Sequence, residues 1–106
     1  MNISDTVDSL AALAQETRLS IFRLLVRHAP GGLPAGAVAK KLRLPGPTLS
    51  FHLNVLAAAE LITARKNGRS IAYSANLERI GQLTGFLLEN CCGGRGCGPM
   101  PPKRPR

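Results

Sequence analysis

Tryptophan is absent from this chain of 106 residues, and aromatics make up only 4% of it (Phe22, Phe51, Phe86 and Tyr73). A core must therefore be built from aliphatic side chains, and aliphatic cores of this size are mostly helical. Carboxylates number six, and the two histidines, His28 and His52, stand far apart. No nucleophile–base arrangement is visible among them, which argues against an enzyme. No uncharged apolar run approaches the roughly 20 residues that a membrane-spanning helix needs. The first five residues are acidic rather than basic and lead into no signal-peptide core. These absences predict a soluble cytoplasmic protein with no membrane partner and no organic cofactor.

Apolar residues amount to 44% and charged residues to 19%, an ordinary globular balance. The length suits one domain, which at this size buries only about 60% of its unfolded surface and gains from a partner. The net charge of +8 is unevenly placed. Residues 1–39 balance Arg18, Arg23 and Arg27 against Asp5, Asp8 and Glu16. Residues 40–70 carry Lys40, Lys41, Arg43, Arg65, Lys66 and Arg69 against Glu60 alone. Residues 71–90 set Arg79 against Glu78 and Glu89, and residues 91–106 add four cations and no acid. A basic middle segment inside a folded domain points to a polyanion such as DNA; the bland alternative is a basic surface that serves solubility.

Hydrophobic spacing predicts a first helix over 4–14, capped by Ser4 or Asp5, with Val7, Leu10 and Leu13 on one side. A second follows over about 17–29, with Leu19, Phe22, Leu25 and Val26 as its stripe. Pro30-Gly31-Gly32 ends it. Pro34 suits the first turn of a third helix, with Val38 and Leu42 inward and Lys40 and Lys41 outward. After Leu44-Pro45-Gly46, a fourth helix runs over about 47–59. Residues 62–65 and 70–73 read as short strands joined at Lys66-Asn67-Gly68-Arg69, where Asn-Gly is the strongest two-residue hairpin signal and the tip carries three cations. A last helix over 76–90 is apolar on more than one side, the pattern of a helix that packs on its own domain and on a second chain. From Cys91 onward, four Gly and four Pro among sixteen residues predict a flexible tail. The chain thus divides into a domain over 1–90 and a basic Cys/Gly/Pro-rich tail over 91–106.

The expected class is mainly α with a small β-hairpin. Two helices joined by a tight Pro-Gly turn and followed by a charged hairpin form a winged helix-turn-helix. At about 100° per residue, Leu49, Leu53 and Leu56 cluster toward the core of the fourth helix. Pro47, Ser50, Phe51 and Asn54 cluster opposite, with Thr48 between. Thr48, Ser50 and Asn54 offer hydrogen bonds to base edges or phosphates, and Phe51 an apolar contact for a thymine methyl. The alternative for Phe51 is packing against a neighbouring element. His52, on the margin of the core, reads as a half-buried hydrogen-bonding residue rather than a metal ligand. Arg65, Lys66 and Arg69 can reach phosphates or a minor groove; otherwise they are a solvated turn. Lys40 and Lys41 join them as cations of the same basic segment.

Three motifs in order resemble the ArsR/SmtB family of winged-helix repressors: Glu16-Thr17-Arg18-Leu19-x-Ile21-x-x-Leu24-Leu25, Thr48-x-Ser50-x-His52-Leu53-x-x-Leu56, and Leu61-Ile62-x-x-Arg65-x-x-Gly68-Arg69-x-x-x-Tyr73. The likeness spans roughly residues 10–90. It implies a homodimer built through the first and last helices, an inverted-repeat operator, and Thr48 and Ser50 as DNA-contact positions. Phe51 stands where members often carry His or another polar residue, and Glu60 where Gly is common.

Cys91, Cys92 and Cys97 are the only cysteines. Adjacent Cys91 and Cys92 are poor disulfide partners, because Cα atoms about 3.8 Å apart lie below the usual minimum for a bridge. The family's cysteine pair before the recognition helix has no counterpart in residues 35–41, and its last-helix zinc site has none in 76–90, which lack His. The remaining cluster is similar to that of arsenic-sensing members with three C-terminal thiolates. Trivalent arsenic or antimony takes three thiolates in a pyramid, and soft ligands select soft ions. As(III) or Sb(III) is the expected inducer. Zinc or cadmium with a fourth ligand from Glu89 or a partner chain, a thiol redox or persulfide switch, and incidental tail cysteines stay open beside it. A winged helix that binds protein rather than DNA is the alternative from another class.

Overall fold

Residues 1–90 are described by the computed structural model. Helices and strands follow in the order α1 (Ile3–Leu13), α2 (Glu16–Arg27), β1 (Leu33–Pro34), α3 (Ala35–Leu42), α4 (Gly46–Ala58), β2 (Ile62–Asn67), β3 (Ser70–Ala75) and α5 (Leu77–Leu87). This is the winged helix-turn-helix expected from the sequence. Ile21, Leu25, Val38, Leu49, Leu56 and Leu61 are fully buried, so α2, α3, α4 and the start of the wing share one aliphatic core.

The first helix begins earlier than its polar residues suggest. Asn2, in extended conformation, caps it by accepting the Asp5 N–H at 2.7 Å, so neither Ser4 nor Asp5 is the cap. Its buried face is Thr6, Ser9 and Ala12, whereas Val7 and Leu10 are 56% and 42% exposed. Of the predicted apolar side of α1, Leu13 packs against the core while Val7 and Leu10 face away from it. In α2 the buried face is Ile21, Phe22, Leu24 and Leu25, while Leu19 and Val26 are exposed. The predicted stripe was rotated, because α2 packs against α1, α3, α4 and β3 and its inward arc is set by all of them.

One strand escapes the sequence pattern. Leu33 and Pro34 pair antiparallel with Tyr73 and Ala72, giving a three-stranded sheet in the order β1-β3-β2. Pro34 is therefore an edge-strand residue and the N-cap of α3, not part of its first turn. Its missing N–H costs nothing at an edge.

The hairpin lies where Asn-Gly marks it, but one residue out of the predicted register. Asn67 pairs with Ser70, so the loop is Gly68-Arg69, and within it only Gly68 has positive φ, at 65°. A single positive φ at the first loop position suits a type II′ turn. Both strands consequently run six residues, and Arg65 and Lys66 stand in the ladder opposite Ala72 and Ile71.

Candidate nucleic-acid interface

Helix α4 enters the core through Leu49, Leu53 and Leu56, each at most 2% exposed. That anchoring leaves Pro47, Ser50, Phe51 and Asn54 as a continuous solvent-facing stripe, with Thr48 exposed beside it. Phe51 is 60% exposed. An aromatic ring of that exposure on a helix is unfavourable in water unless something covers it. Among the described residues nothing covers Phe51; the ring it meets there is its neighbour His52, edge-on at 5.3 Å.

The N-terminus of α4 adds a second kind of donor. Pro45 is its N-cap and supplies no side-chain cap bond. The N–H groups of Gly46 and Thr48 thus have no intrahelical acceptor, at the positive end of a helix dipole. Such groups suit a phosphate oxygen.

Cations flank α4 on the elements around it. Lys40 and Lys41 are exposed in the last turn of α3, where they also complement the negative end of that helix. Arg65, Lys66 and Arg69 are exposed on β2 and at the hairpin tip. Strand alternation points Arg65 and Lys66 to opposite faces of the wing. Arg43 is a further exposed cation, whose charge is evident in the sequence but whose position between α3 and α4 is not. It holds the turn between α3 and α4 in the left-handed region, at φ 57°, with the Leu44 N–H bonded to Ala39 O at 2.9 Å. Its only trace in the sequence is its place just before the Leu44-Pro45-Gly46 turn.

His52 is half-buried, and its Nδ1 lies 3.2 Å from Arg18 Nη1, as a hydrogen-bonding residue rather than a ligand. Among the described residues, no three His, Cys, Asp or Glu side chains form a group that could hold a metal ion. No described helix is long and apolar enough to cross a membrane. Cys91, Cys92 and Cys97 lie outside the described residues.

A family model described as a helix-turn-helix domain matches residues 13–65, half of the chain. The transcriptional repressor SdpR of Bacillus subtilis is 37% identical over 77 residues, covering 73% of this chain and 82% of that protein. An ArsR-like transcriptional regulator from Rhodococcus superposes with a TM-score of 0.73 at 30% identity, over 79% of this chain and 76% of that one. The chain belongs to the ArsR family. Within that family of winged-helix, DNA-binding transcription regulators, it is also similar to the arsenical resistance operon repressor of Staphylococcus xylosus. That match is 35% identical and covers 74% of this chain and 72% of that protein. A homodimeric winged helix-turn-helix DNA-binding domain from Mycobacterium bovis superposes with a TM-score of 0.65 at 25% identity, over 83% of this chain and 82% of that one. In this ArsR-family chain, all nine side chains singled out for DNA (Lys40, Lys41, Thr48, Ser50, Phe51, Asn54, Arg65, Lys66 and Arg69) are at the surface.

Proposed function

We propose that this chain is a homodimeric transcriptional repressor that binds an inverted-repeat operator and leaves it when As(III) or Sb(III) is captured by Cys91, Cys92 and Cys97. The observation that carries the DNA half is the α4 stripe: Thr48, Ser50, Phe51 and Asn54 stand in solvent on a helix whose opposite side is locked into the core. In this reading the stripe meets base edges in a major groove, while the wing cations Arg65, Lys66 and Arg69 and the α3 cations Lys40 and Lys41 meet phosphates.

Dimerisation is supported by the exposed apolar side chains of the first and last helices: Ile3, Val7 and Leu10 on α1, and Leu77 and Leu87 on α5 with Leu88 at its cap. A second copy would cover both. Two recognition helices would then meet half-sites about 34 Å apart, so a small shift at the dimer helices spoils simultaneous docking.

The inducer half rests on donor chemistry. Three thiolates, two of them adjacent, follow within ten residues of the end of α5. Three soft ligands match the pyramidal coordination of As(III). The likeness to an arsenical resistance operon repressor supports the same choice. Residues 1–90 would read and pair, and residues 91–106 would carry the inducer site. An ion that binds the free dimer more tightly than the DNA-bound one releases it, and couplings of about 1–3 kcal/mol suffice. The protein would act in the cytoplasm and without catalysis.

The test is fluorescence anisotropy on the DNA upstream of its own gene, under reducing conditions, with arsenite or zinc added to the preformed complex. Release by stoichiometric arsenite and not by zinc is expected, and replacing any of the three cysteines by Ser should abolish that release. Zinc-driven release would make the site a zinc or cadmium sensor. Reversal by oxidant alone would make it a thiol switch, and absence of salt-dependent DNA binding would remove the repressor reading.

A further inference from the structure

A single side chain reaches from the helix that faces a second copy to the helix that faces DNA. Arg18 lies in the first turn of α2, where Gln15 Oε1 accepts its backbone N–H at 2.8 Å. Its Nε donates to the carbonyl of Ala12 at 2.7 Å. Ala12 sits in the last turn of α1, where carbonyls lack a helical donor and a cation meets the negative end of the dipole. The other arm of the guanidinium, Nη1, lies 3.2 Å from His52 Nδ1 on α4. Arginine only donates, so Nδ1 must supply the lone pair, and the ring proton of the neutral imidazole resides on Nε2. The His52 ring in turn meets the edge of Phe51, with centroids 5.3 Å apart and planes at 64°.

The path Ala12–Arg18–His52–Phe51 thus begins in α1, whose Val7 and Leu10 are exposed, and ends on the most exposed ring of the recognition stripe. α1 and α4 are also in contact, with Ala12 in the same core as Leu53 and Leu56. Beside that contact a groove of about 360 Å³ opens at the surface, lined by Asp8 and Ala11 of α1, Val55 and Ala58 of α4, and Arg18. Where small side chains leave such an opening, hydrogen bonds that cross between two helices add to what packing fixes of their relative setting.

We propose that Arg18 is a positioning residue for DNA reading: through His52 it sets the rotation of α4, and with it Phe51, against the dimer-facing helix α1. The proposal rests on the DNA-binding reading of the α4 stripe. It requires two diverging donors on one rigid group, which arginine has and lysine lacks. It also requires a free lone pair on His52 Nδ1. Asp8 of α1 and Arg18 of α2 are the charged groups lining the groove, and α4 itself carries no titratable residue besides His52.

The experiment compares two duplexes by fluorescence anisotropy: one selected from a random library by the wild-type protein, and a scrambled duplex of equal composition. Arg18→Lys and His52→Leu should each weaken the selected duplex about ten-fold and leave the scrambled one unchanged, because phosphate contacts do not depend on how Phe51 is aimed. His52→Asn, whose Oδ1 can stand where Nδ1 stood, should recover most of the discrimination. Combining Arg18→Lys with His52→Leu should cost no more than either alone. Equal discrimination in Arg18→Lys and wild type overturns the proposal, as does parallel loss on both duplexes that His52→Asn fails to rescue. The nitrogen spectrum of the His52 ring in the free protein gives an answer without DNA: a proton found on Nδ1 overturns the bridge even if every variant misfolds. Failure of the wild type to select any duplex, with the proton on Nε2, removes the DNA reading and the proposal's purpose while leaving the bridge itself intact.

Discussion

Gly32 lies flat against the backbone of Tyr73. A Cβ built on it would collide with the Tyr73 carbonyl and stand 3.1 Å from Ser74 Cβ, and its φ of +79° belongs to the region that side chains avoid. This close approach lets Leu33 and Pro34 add to β3, and Ser74 Oγ donates to Pro30 O at 3.0 Å alongside it. Gly32→Ala should therefore destabilise the fold by about 2 kcal/mol or more, from the clash and the strained φ together. Urea unfolding checks this. An unchanged midpoint would mean that β1 is dispensable to the sheet.

Glu60 is an opportunity of the opposite sign. It follows α4 at φ 63°, its N–H bonded to Ala57 O at 2.9 Å and the Leu61 N–H to Leu56 O at 3.0 Å. These two bonds define a Schellman motif, whose left-handed position normally belongs to glycine. Glu60→Gly should stabilise by about 1 kcal/mol, since the left-handed region costs an L side chain on that order. The Asn76 Nδ2 bond to Glu60 O, at 2.9 Å, uses backbone on the Glu60 side and survives the change. Thermal melts of the two proteins decide it.

Val7→Lys combined with Leu77→Lys should produce a monomer. Both side chains are exposed in a single chain, so the fold has little to lose, whereas an apolar contact between copies would have to bury two charges. Light scattering behind gel filtration gives the mass, and the circular dichroism spectrum should not change. A dimer of unchanged mass would place the interface elsewhere.

Arg69→Ala and Lys66→Ala test the wing. Both residues are exposed and set at or beside the hairpin tip. Each phosphate contact removed should lower the slope of log affinity against log salt by about 1 while leaving sequence preference in place. Slopes identical to wild type would leave the wing as a solvated hairpin.

Within α4, little was hidden. Leucines at 49, 53 and 56 repeat at helical spacing, and Ser50, Phe51 and Asn54 between them point outward. The half-buried, hydrogen-bonded character of His52 was equally legible from its angle to those leucines. Its partner was not, because Arg18 is 34 residues away and nothing in local spacing brings the two together. Strand β1 was invisible for a related reason: two residues, one of them proline, carry no period-2 signal and become a strand only when β3 arrives beside them. The hairpin register slipped by one because Asn-Gly tolerates two turn placements, and the ladder that chooses between them is non-local.

Composition, helical periodicity and the basic segment by themselves determined a small aliphatic helical domain with a charged wing and a helix presenting Ser50, Phe51 and Asn54. These are local properties, set by side-chain volume, spacing and charge along the chain. Only the tertiary structure decided that Val7 and Leu10 of α1 are left over rather than buried, that Gly32 must be glycine, and that Arg18 ties α1 to α4. Each of those depends on which surfaces of distant elements meet, and burial is allotted by the whole core rather than by any one helix.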